Sequence, residues 1–128
     1  PHLGEASRLL RWPMDAVKRG QAQAARALRE RYGGCIILKS ASSVLIAEDG
    51  EAINFFGTPA MAKAGSGDTL AGVLGALLAG REEYRLRGIR LLQTACALHG
   101  LAGEEAAKKY GEHGTLATDV CDFLGRNP

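Results

Sequence analysis

The stretch that most constrains this chain is residues 65–68, Gly-Ser-Gly-Asp, which lead directly into an apolar run over residues 70–79. Glycine reaches backbone conformations closed to other residues, so Gly65 and Gly67 allow several N–H groups to turn toward one point. The helix that follows begins with unpaired N–H donors and a partial positive charge. The stretch therefore predicts a pocket for a phosphate or a developing oxyanion at the start of a helix.

Asp68 stands where the first helical turn should begin, and a carboxylate there has two interpretations. In one it accepts a proton from a substrate hydroxyl, and in the other it only caps the helix. Small residues after it predict a helix packed closely against neighbours, whose first N–H groups then need a ligand. These small residues, which favour the first interpretation, are Ala71, Gly72, Gly75, Ala76 and Ala79.

The motif is not one of the better-known phosphate loops. A Walker A loop requires a lysine after its last glycine, whereas here Asp68 follows Gly67. The dinucleotide pattern Gly-x-Gly-x-x-Gly fails because Leu70 occupies the third glycine position.

The composition of the 128 residues, 46% hydrophobic and 23% charged, predicts one globular domain over residues 1–128. A net charge of +2 without a long Lys/Arg block argues against a nucleic-acid partner. The longest apolar run is too short to span a bilayer, and no secretory signal is present in the sequence. Three cysteines in apolar contexts, without metal-ligand spacing, predict reduced core thiols in a cytoplasmic protein and no metal site. They are Cys35, Cys96 and Cys121.

Helical and strand patterns alternate along the chain, which indicates the α/β class. Two glycines inside the longest helix cost about 1 kcal/mol each relative to alanine, so Gly100 and Gly103 predict close contact with a neighbouring helix. His99 between apolar residues of that helix predicts a hydrogen-bonded core histidine. The predicted elements are helices over residues 4–10, 15–32, 89–110 and 120–124, a strand at 35–38 buried on both faces, and a hairpin of 44–47 with 52–56.

A polar loop follows the predicted buried strand at its C-terminal end, the edge at which open α/β sheets bind ligands. Its one cation and three hydroxyl groups suit a nucleotide phosphate or ribose, and a plain polar connection between strands is the equal alternative. The loop consists of Lys39, Ser40, Ala41, Ser42 and Ser43.

Several blocks, in a fixed order, resemble the ADP/ATP-dependent NAD(P)H-hydrate dehydratases, a branch of the ribokinase-like superfamily. Residues 1–5, Pro-His-Leu-Gly-Glu, resemble the family's Pro-His-x-Gly-Glu element, and residues 39–43 resemble its Lys-Gly-x-x-Ser/Thr loop. Residues 57–72 resemble its signature Gly-Asn-Pro-Gly-Met-Ala, followed by Gly-Ser/Thr-Gly-Asp-x-Leu-Ala-Gly. Residues 98–103 are similar to a further block, so the resemblance covers nearly the whole chain.

The resemblance implies a three-layer α/β ribokinase-like fold, of which this chain would be the C-terminal half. We therefore expect a partial sheet with a β-hairpin, packed by helices, in a fragment of a longer protein. The family's N-terminal half supplies more of the central sheet and part of the substrate pocket. A missing half would leave a sheet edge exposed, which favours a homo-oligomer.

The resemblance also implies the reaction, the dehydration of hydrated NADH or NADPH with ADP or ATP as co-substrate and Mg²⁺ as the usual metal. Phosphorylation of the ring hydroxyl replaces hydroxide with phosphate, a better leaving group. By resemblance, Asp68 contacts the substrate and deprotonates this hydroxyl, while Gly65, Ser66 and Gly67 hold the nucleotide and the transferring phosphoryl group. Residues 39–43 would line the adenine nucleotide site, and His2, by itself a surface histidine, would bind the hydrated dinucleotide.

Three family glycines are replaced here, by Ser40, Ala60 and Ala64, and the added Cβ atoms are expected to narrow the nucleotide site or restrict its backbone. Two alternatives to the dehydratase stay open. One is a ribokinase-like small-molecule kinase, in which Asp68 activates an alcohol. The other is an inactive half-domain that pairs with another copy or only binds nucleotide.

Overall fold

The computed structural model describes residues 1–125, and the chain divides into two compact units, Pro1–Phe55 and Phe56–Pro128. Each unit contains its own cluster of buried apolar side chains. The prediction of a single domain over residues 1–128 stays a prediction. The two units are therefore described one after the other.

The first unit contains three helices and an antiparallel sheet whose strand order is β1-β2-β3. In register, Ile37 lies opposite Leu45, and Leu45 lies opposite Ala52 on the other side. The core forms where the helices pack on this sheet, around Ala6, Val17, Leu28, Leu38 and Ile46. The elements are α1 Leu3–Leu10, α2 Met14–Arg19, α3 Gln21–Tyr32, β1 Ile36–Leu38, β2 Ser43–Ala47 and β3 Gly50–Asn54.

The prediction of one helix over residues 15–32 is wrong, because Gly20 separates α2 from α3. Its φ of −122° and ψ of 52° are not helical. Glycine is a poor helix former, so a break at this residue is cheap. Ala24, Ala25 and Leu28 are buried along α3 as predicted, whereas Tyr32 is exposed.

The predicted strand exists but is not buried on both faces. β1 begins at Ile36, and Ile36 and Ile37 are only partly buried because β1 stands at one end of a three-stranded sheet. The predicted hairpin is confirmed, with Ala47 paired to Gly50 across a two-residue turn. Because of this pairing, β3 starts at Gly50, two residues before the predicted start at residue 52. It ends at Asn54, two residues before the predicted end at residue 56.

The second unit consists of helices. Leu70 and Val73 are the buried residues of α4, which packs on α6, and α6 also contacts α7. The long predicted helix is confirmed as α6, in which His99 is buried, and the final helix begins three residues earlier than predicted. The elements are a 3-10 turn at Pro59–Met61, α4 Ser66–Ala79, α5 Arg81–Tyr84, α6 Gly88–Tyr110 and α7 Ala117–Cys121.

Two glycines of α6 give the chain before α4 room to approach. A Cβ atom at Gly100 would lie 2.6 Å from the Cβ of Phe56, and one at Gly103 would collide with the Sδ of Met61. The predicted close contact with a helix holds for Gly103, since Met61 ends the 3-10 turn. It is wrong for Gly100, whose neighbour Phe56 lies outside any helix.

The three cysteines are free, but the prediction of core thiols holds only for Cys96. Burial raises the pKa of the Cys96 thiol to about 11. Cys35 and Cys121 are exposed, because Cys35 precedes β1 and Cys121 ends the short helix α7. In the part of the chain that the structure describes, no helix is both long enough and apolar enough to cross a membrane.

Candidate active site

Gly65 ends the loop before α4 in a conformation that favours glycine. Its φ is +90°, and a Cβ atom there would lie 3.1 Å from the Cβ of Ala117. Backbone strain and lack of space therefore both select glycine at this position. The helix begins at Ser66, so Ser66, Gly67 and Asp68 form its first turn.

The first turn of α4 has two N–H groups available for a ligand. The N–H of Ser66 donates to the carbonyl of Lys63 at 3.2 Å, and that of Thr69 donates to the carbonyl of Gly65 at 3.0 Å. No acceptor for the N–H groups of Gly67 and Asp68 exists among residues 1–125. Neighbouring free donors at a helix N-terminus form an anion-binding site.

The segment before α7 holds this loop in place. The Nζ of Lys63 donates to the carbonyls of His113, at 2.7 Å, and Thr115, at 2.5 Å. The hydroxyl of Thr69 lies 3.2 Å from the carbonyl of Gly65 and 3.4 Å from that of Ala117. Sequence reasoning missed Lys63 and Thr69, because their partners are backbone atoms about 50 residues away that carry no sequence signal.

Asp68 is exposed and lines a cleft of about 440 Å³ between α4, α6 and α7. Its carboxylate forms no hydrogen bond or ion pair with any residue from 1 to 125. The interpretation as a mere helix cap therefore lacks the hydrogen bond that capping requires. The rest of the lining is largely apolar and includes Thr69, Gly72, Val73, Ala76, Leu77, Leu98 and Cys121.

The prediction that the small residues of α4 are buried is wrong. Only Leu70 and Val73 are buried, on the side that meets α6. A Cβ atom at Gly72 or Gly75 would find no atom within 4 Å. The exposed small residues are Ala71, Gly72, Gly75, Ala76 and Ala79.

In the first unit, the loop of residues 39–43 is a tight turn between β1 and β2. The Ser40 hydroxyl donates to the Oε1 of Gln21 at 2.8 Å, and the Ser43 hydroxyl donates to the Ser40 carbonyl at 3.1 Å. Two of the three hydroxyl groups therefore shape the turn. The ammonium group of Lys39 and the hydroxyl of Ser42 form no hydrogen bond with the described residues, although the charge of Lys39 acts on Glu5, and Ala41 is exposed.

The residues that replace family glycines do not strain the backbone. Within residues 1–125, the non-glycine residues of positive φ are Arg11 and Arg85. Ser40, Ala60 and Ala64 therefore adopt conformations open to any residue, so the expected restriction of the backbone does not arise.

His2 is the N-cap of α1 and lies beside Lys39. Its Nδ1 accepts from the N–H groups of Gly4, at 3.0 Å, and Glu5, at 3.2 Å. The N–H of His2 donates to the Oε2 of Glu5 at 2.7 Å, which lowers the pKa of that carboxyl from its ordinary 4.5. Sequence reasoning missed this cap, although an N-cap followed three residues later by glutamate is a capping-box pattern. The imidazole itself stays exposed.

The structure thus groups the predicted site residues in two sets. A parallel β-bridge joins His2 to Lys39, next to Ser40, Ala41, Ser42 and Ser43, in the first unit. Gly65, Ser66, Gly67 and Asp68 lie together in the second. Over the described range 1–125, no three His, Cys, Asp or Glu side chains are placed to hold a metal ion.

A family model described as NAD(P)H-hydrate dehydratase matches residues 1–126 of this chain. The chain belongs to the NAD(P)H-hydrate dehydratase family. It is 39% identical over 126 residues to the bifunctional NAD(P)H-hydrate repair enzyme Nnr of Coxiella burnetii. It is 35% identical over 127 residues to the ADP-dependent (S)-NAD(P)H-hydrate dehydratase of Cenarchaeum symbiosum.

The chain spans only part of these relatives. It covers 25% of the Coxiella burnetii protein and 42% of the Cenarchaeum symbiosum protein, with 97% of its own residues aligned in each case. The ADP/ATP-dependent NAD(P)H-hydrate dehydratase of Bacillus subtilis, co-crystallized with ATP/Mg²⁺, has a TM-score of 0.86 and 30% identity to it. That match covers 98% of this chain and 44% of the Bacillus subtilis chain, and it confirms the predicted α/β ribokinase-like fold as about half of a dehydratase domain.

Proposed function

We propose that this chain carries the phosphoryl-transfer site of an ADP/ATP-dependent NAD(P)H-hydrate dehydratase, with Asp68 as the general base. The observation that supports this most directly is the free Asp68 carboxylate beside two free N–H donors, at the mouth of a cleft. A base and an anion site next to one another are the two elements that transfer of a phosphoryl group to an alcohol needs.

In the first step, the ring hydroxyl of the hydrated dinucleotide attacks the terminal phosphorus of ATP or ADP. A new O–P bond forms, the bond from that phosphorus to the bridging oxygen breaks, and Asp68 takes the hydroxyl proton. The N–H groups of Gly67 and Asp68 donate to the oxygens of the transferring group, whose charge must be stabilised in place. Gly65 and Ser66 set the turn that aims these donors.

In the second step, the C–O bond of the phosphorylated ring breaks and phosphate leaves with the electron pair. The lone pair of the ring nitrogen drives this elimination, and loss of a proton from the neighbouring carbon restores the double bond. The apolar lining of the cleft suits a ring that must be kept from water during this step.

Mg²⁺ fits the site, because it keeps several waters and is held by one or two carboxylates together with phosphate oxygens. Asp68 is a carboxylate without a partner within residues 1–125 and would be its protein ligand. When bound, the metal neutralises charge on the transferring phosphoryl group. In the first unit, Lys39 and Ser42 would contact the nucleotide through polar groups that form no hydrogen bond with the described residues, and the exposed ring of His2 would contact the hydrated dinucleotide.

The test is the rate of NADPH formation from its hydrate with ADP or ATP, in the intact polypeptide that carries residues 1–128. Replacement of Asp68 by asparagine keeps the shape and removes the base, so we expect the rate to fall by about 10²–10⁴-fold. The affinity for nucleotide measured without Mg²⁺ should change little. Asp15→Asn, at an exposed aspartate of α2, is the matched control.

Equal rates for the Asp68→Asn and Asp15→Asn variants would contradict the proposal. Accumulation of a phosphorylated alcohol without elimination would instead identify the chain as a small-molecule kinase. Nucleotide binding without turnover, unchanged by Asp68→Asn, would favour the inactive half-domain.

A further inference from the structure

Two neighbouring positions of α6 hold the beginning of the loop that leads to α4. Gly103 leaves space for the 3-10 turn, since a Cβ atom there would collide with the Sδ of Met61. At the next position, the Oε1 of Glu104 accepts a hydrogen bond from the N–H of Gly57 at 2.8 Å. The loop is therefore both packed on α6 and hydrogen-bonded to it.

The bond from Gly57 is the one hydrogen bond that the Glu104 carboxylate forms with residues 1–125, and no cation lies within ion-pair distance of it there. Its charge contributes to the raised pKa of Lys108, after the larger effect of the hydrogen bond from Lys108 to Glu105. A charged acceptor forms a hydrogen bond about twice as strong as a neutral one. Gly57 itself has a φ of +125°, a conformation that favours glycine. Glu104 thus fixes the loop at a residue whose backbone conformation is unusual.

Consecutive backbone hydrogen bonds connect Gly57 with the first turn of α4. The carbonyl of Thr58, the next residue, accepts from the N–H of Met61 at 3.0 Å. The carbonyl of Met61 accepts from the N–H of Lys63 at 2.8 Å, and the carbonyl of Lys63 accepts from that of Ser66 at 3.2 Å. Each bond closes a short turn, so the segment has little freedom to absorb a shift at Gly57. A change at Gly57 is therefore passed on to Ser66, where α4 begins.

We propose that Glu104 is a positioning residue of the candidate site. Its carboxylate fixes Gly57, and the turns that follow carry this constraint to the N–H of Gly67 and to the side chain of Asp68. Lys63 holds the end of the same loop, so each end has its own contact. The effect on the reaction rests on the proposed function, whereas the effect on the loop does not.

The first measurement is the rate of NADPH formation from its hydrate in the intact polypeptide that carries residues 1–128. Glu104→Leu removes the acceptor, and we expect kcat to fall about 10–100-fold, because small misplacements of reacting groups cost that much. The KM for the hydrated dinucleotide should stay within about twofold, since no contact with it is removed. Glu104→Gln keeps an oxygen that accepts the same N–H, so it should recover kcat to within about threefold of the wild type.

The second measurement is amide hydrogen exchange of the same polypeptide without nucleotide. In Glu104→Leu, the N–H groups of Met61, Lys63 and Ser66 should exchange at least about tenfold faster, because the turns open more often. The amides of α3 serve as the internal reference and should keep their rates. Glu104→Gln should restore slow exchange in the loop.

Glu105→Leu is the matched control at the next position of α6. It removes an equal charge, but the partner of Glu105 is Lys108, whose Nζ donates to it at 2.6 Å, and not the loop. It should leave both kcat and the exchange of the loop unchanged. Rates are compared at a temperature at which far-UV circular dichroism shows every variant to be folded.

Three outcomes would overturn the proposal. The first is a Glu104→Leu variant with wild-type kcat, and the second is a Glu104→Gln variant as slow as Glu104→Leu, since the acceptor would then not matter. The third is a slow Glu104→Leu variant whose loop exchanges as in the wild type. If Asp68→Asn keeps the full rate, the proposed function fails, whereas hydrogen exchange still decides whether Glu104 holds the loop.

Discussion

The ammonium group of Lys63 donates to the carbonyl of Thr115, a residue only 1% exposed, and thereby fixes the loop before α4 to the segment before α7. The same group donates to the carbonyl of His113. These two hydrogen bonds place the turn at Gly65 against Ala117. The position of the proposed anion site thus depends on a lysine whose hydrogen bonds go to backbone carbonyls.

Replacement of Lys63 by methionine tests this dependence. It removes both hydrogen bonds and leaves two carbonyls without that donor, so we expect a loss of about 1–3 kcal/mol in the free energy of unfolding. Nucleotide affinity should fall together with it, because the first turn of α4 is no longer held in place. Urea unfolding and calorimetric titration with ATP measure the two effects.

Lys18→Met is the control, since Lys18 is exposed and has no partner among the described residues. Equal stability and equal nucleotide affinity for the two variants would show that the contacts of Lys63 do not hold the loop.

Substitution of Gly65 by alanine should impair the site for two separable reasons. The residue has a φ of +90°, and the new Cβ atom would lie 3.1 Å from the Cβ of Ala117. We expect a loss of about 1–3 kcal/mol in unfolding free energy and weaker binding of ATP. Thermal unfolding and ATP titration provide the measurement.

Gly33→Ala separates these two causes, because Gly33 has a φ of +73° with no atom within 4 Å of an added Cβ. Its ψ of −173° differs from the −17° of Gly65, so it carries a positive-φ cost of its own without the contact, and it lies outside the predicted site. If Gly33→Ala lowered ATP affinity as much as Gly65→Ala, the local placement of Gly65 would not matter.

The contribution of the Glu5 carboxylate to the free energy of unfolding should decrease in acid. Its pKa lies below the ordinary 4.5, chiefly because the N–H of His2 donates to it. A carboxyl group whose pKa is lowered in the folded state stabilises the folded chain fully above about pH 4.5. That contribution to the free energy of unfolding is lost as the pH falls through the folded-state pKa. Urea unfolding from neutral pH down to about pH 3 should show the loss.

Glu5→Gln should flatten this part of the pH profile, whereas Glu30→Gln, at an exposed residue of α3, should leave it unchanged. Parallel profiles for the wild type and the Glu5→Gln variant would rule out Glu5 as the source of the loss.

Two of the three thiols should react readily with an alkylating reagent, and the third should be protected. Cys35 and Cys121 are exposed, whereas Cys96 is buried with a pKa of about 11, so its thiolate fraction at neutral pH is very small. Labelling with iodoacetamide, followed by mass spectrometry, should modify two cysteines in the folded chain and the third only in urea. Rapid labelling of Cys96 without denaturant would show that α6 opens locally.

Local patterns were sufficient for much of this fold. The hairpin from Asp-Gly between apolar runs, the apolar face of α3 and the long helix α6 all depend on residues near each other in sequence, and the structure has them. The position of Asp68 at the start of a helix could also be predicted from the sequence, because the glycines before it favour a turn there.

Features that depend on distant atoms could not be read in the same way. The role of Lys63 depends on carbonyls of residues 113 and 115, and the shape of the loop of residues 39–43 depends on Gln21. The small residues of α4 predicted close packing against neighbours, and this was wrong, because no residue among 1–125 covers them. Composition describes what a helix face can pack against, and it cannot report whether the partner is present.

The cap at the start of α1 limits how a ligand can use the ring of His2. Nδ1 accepts two backbone N–H groups, so it holds the lone pair, and the ring proton must be on Nε2. That Nε2 lies 3.4 Å from the Oε1 of Glu5, so a substrate acceptor such as an amide or phosphate oxygen would share this donor with the Glu5 carboxylate. A ligand that needed an acceptor from the ring would first have to unwind the beginning of the helix.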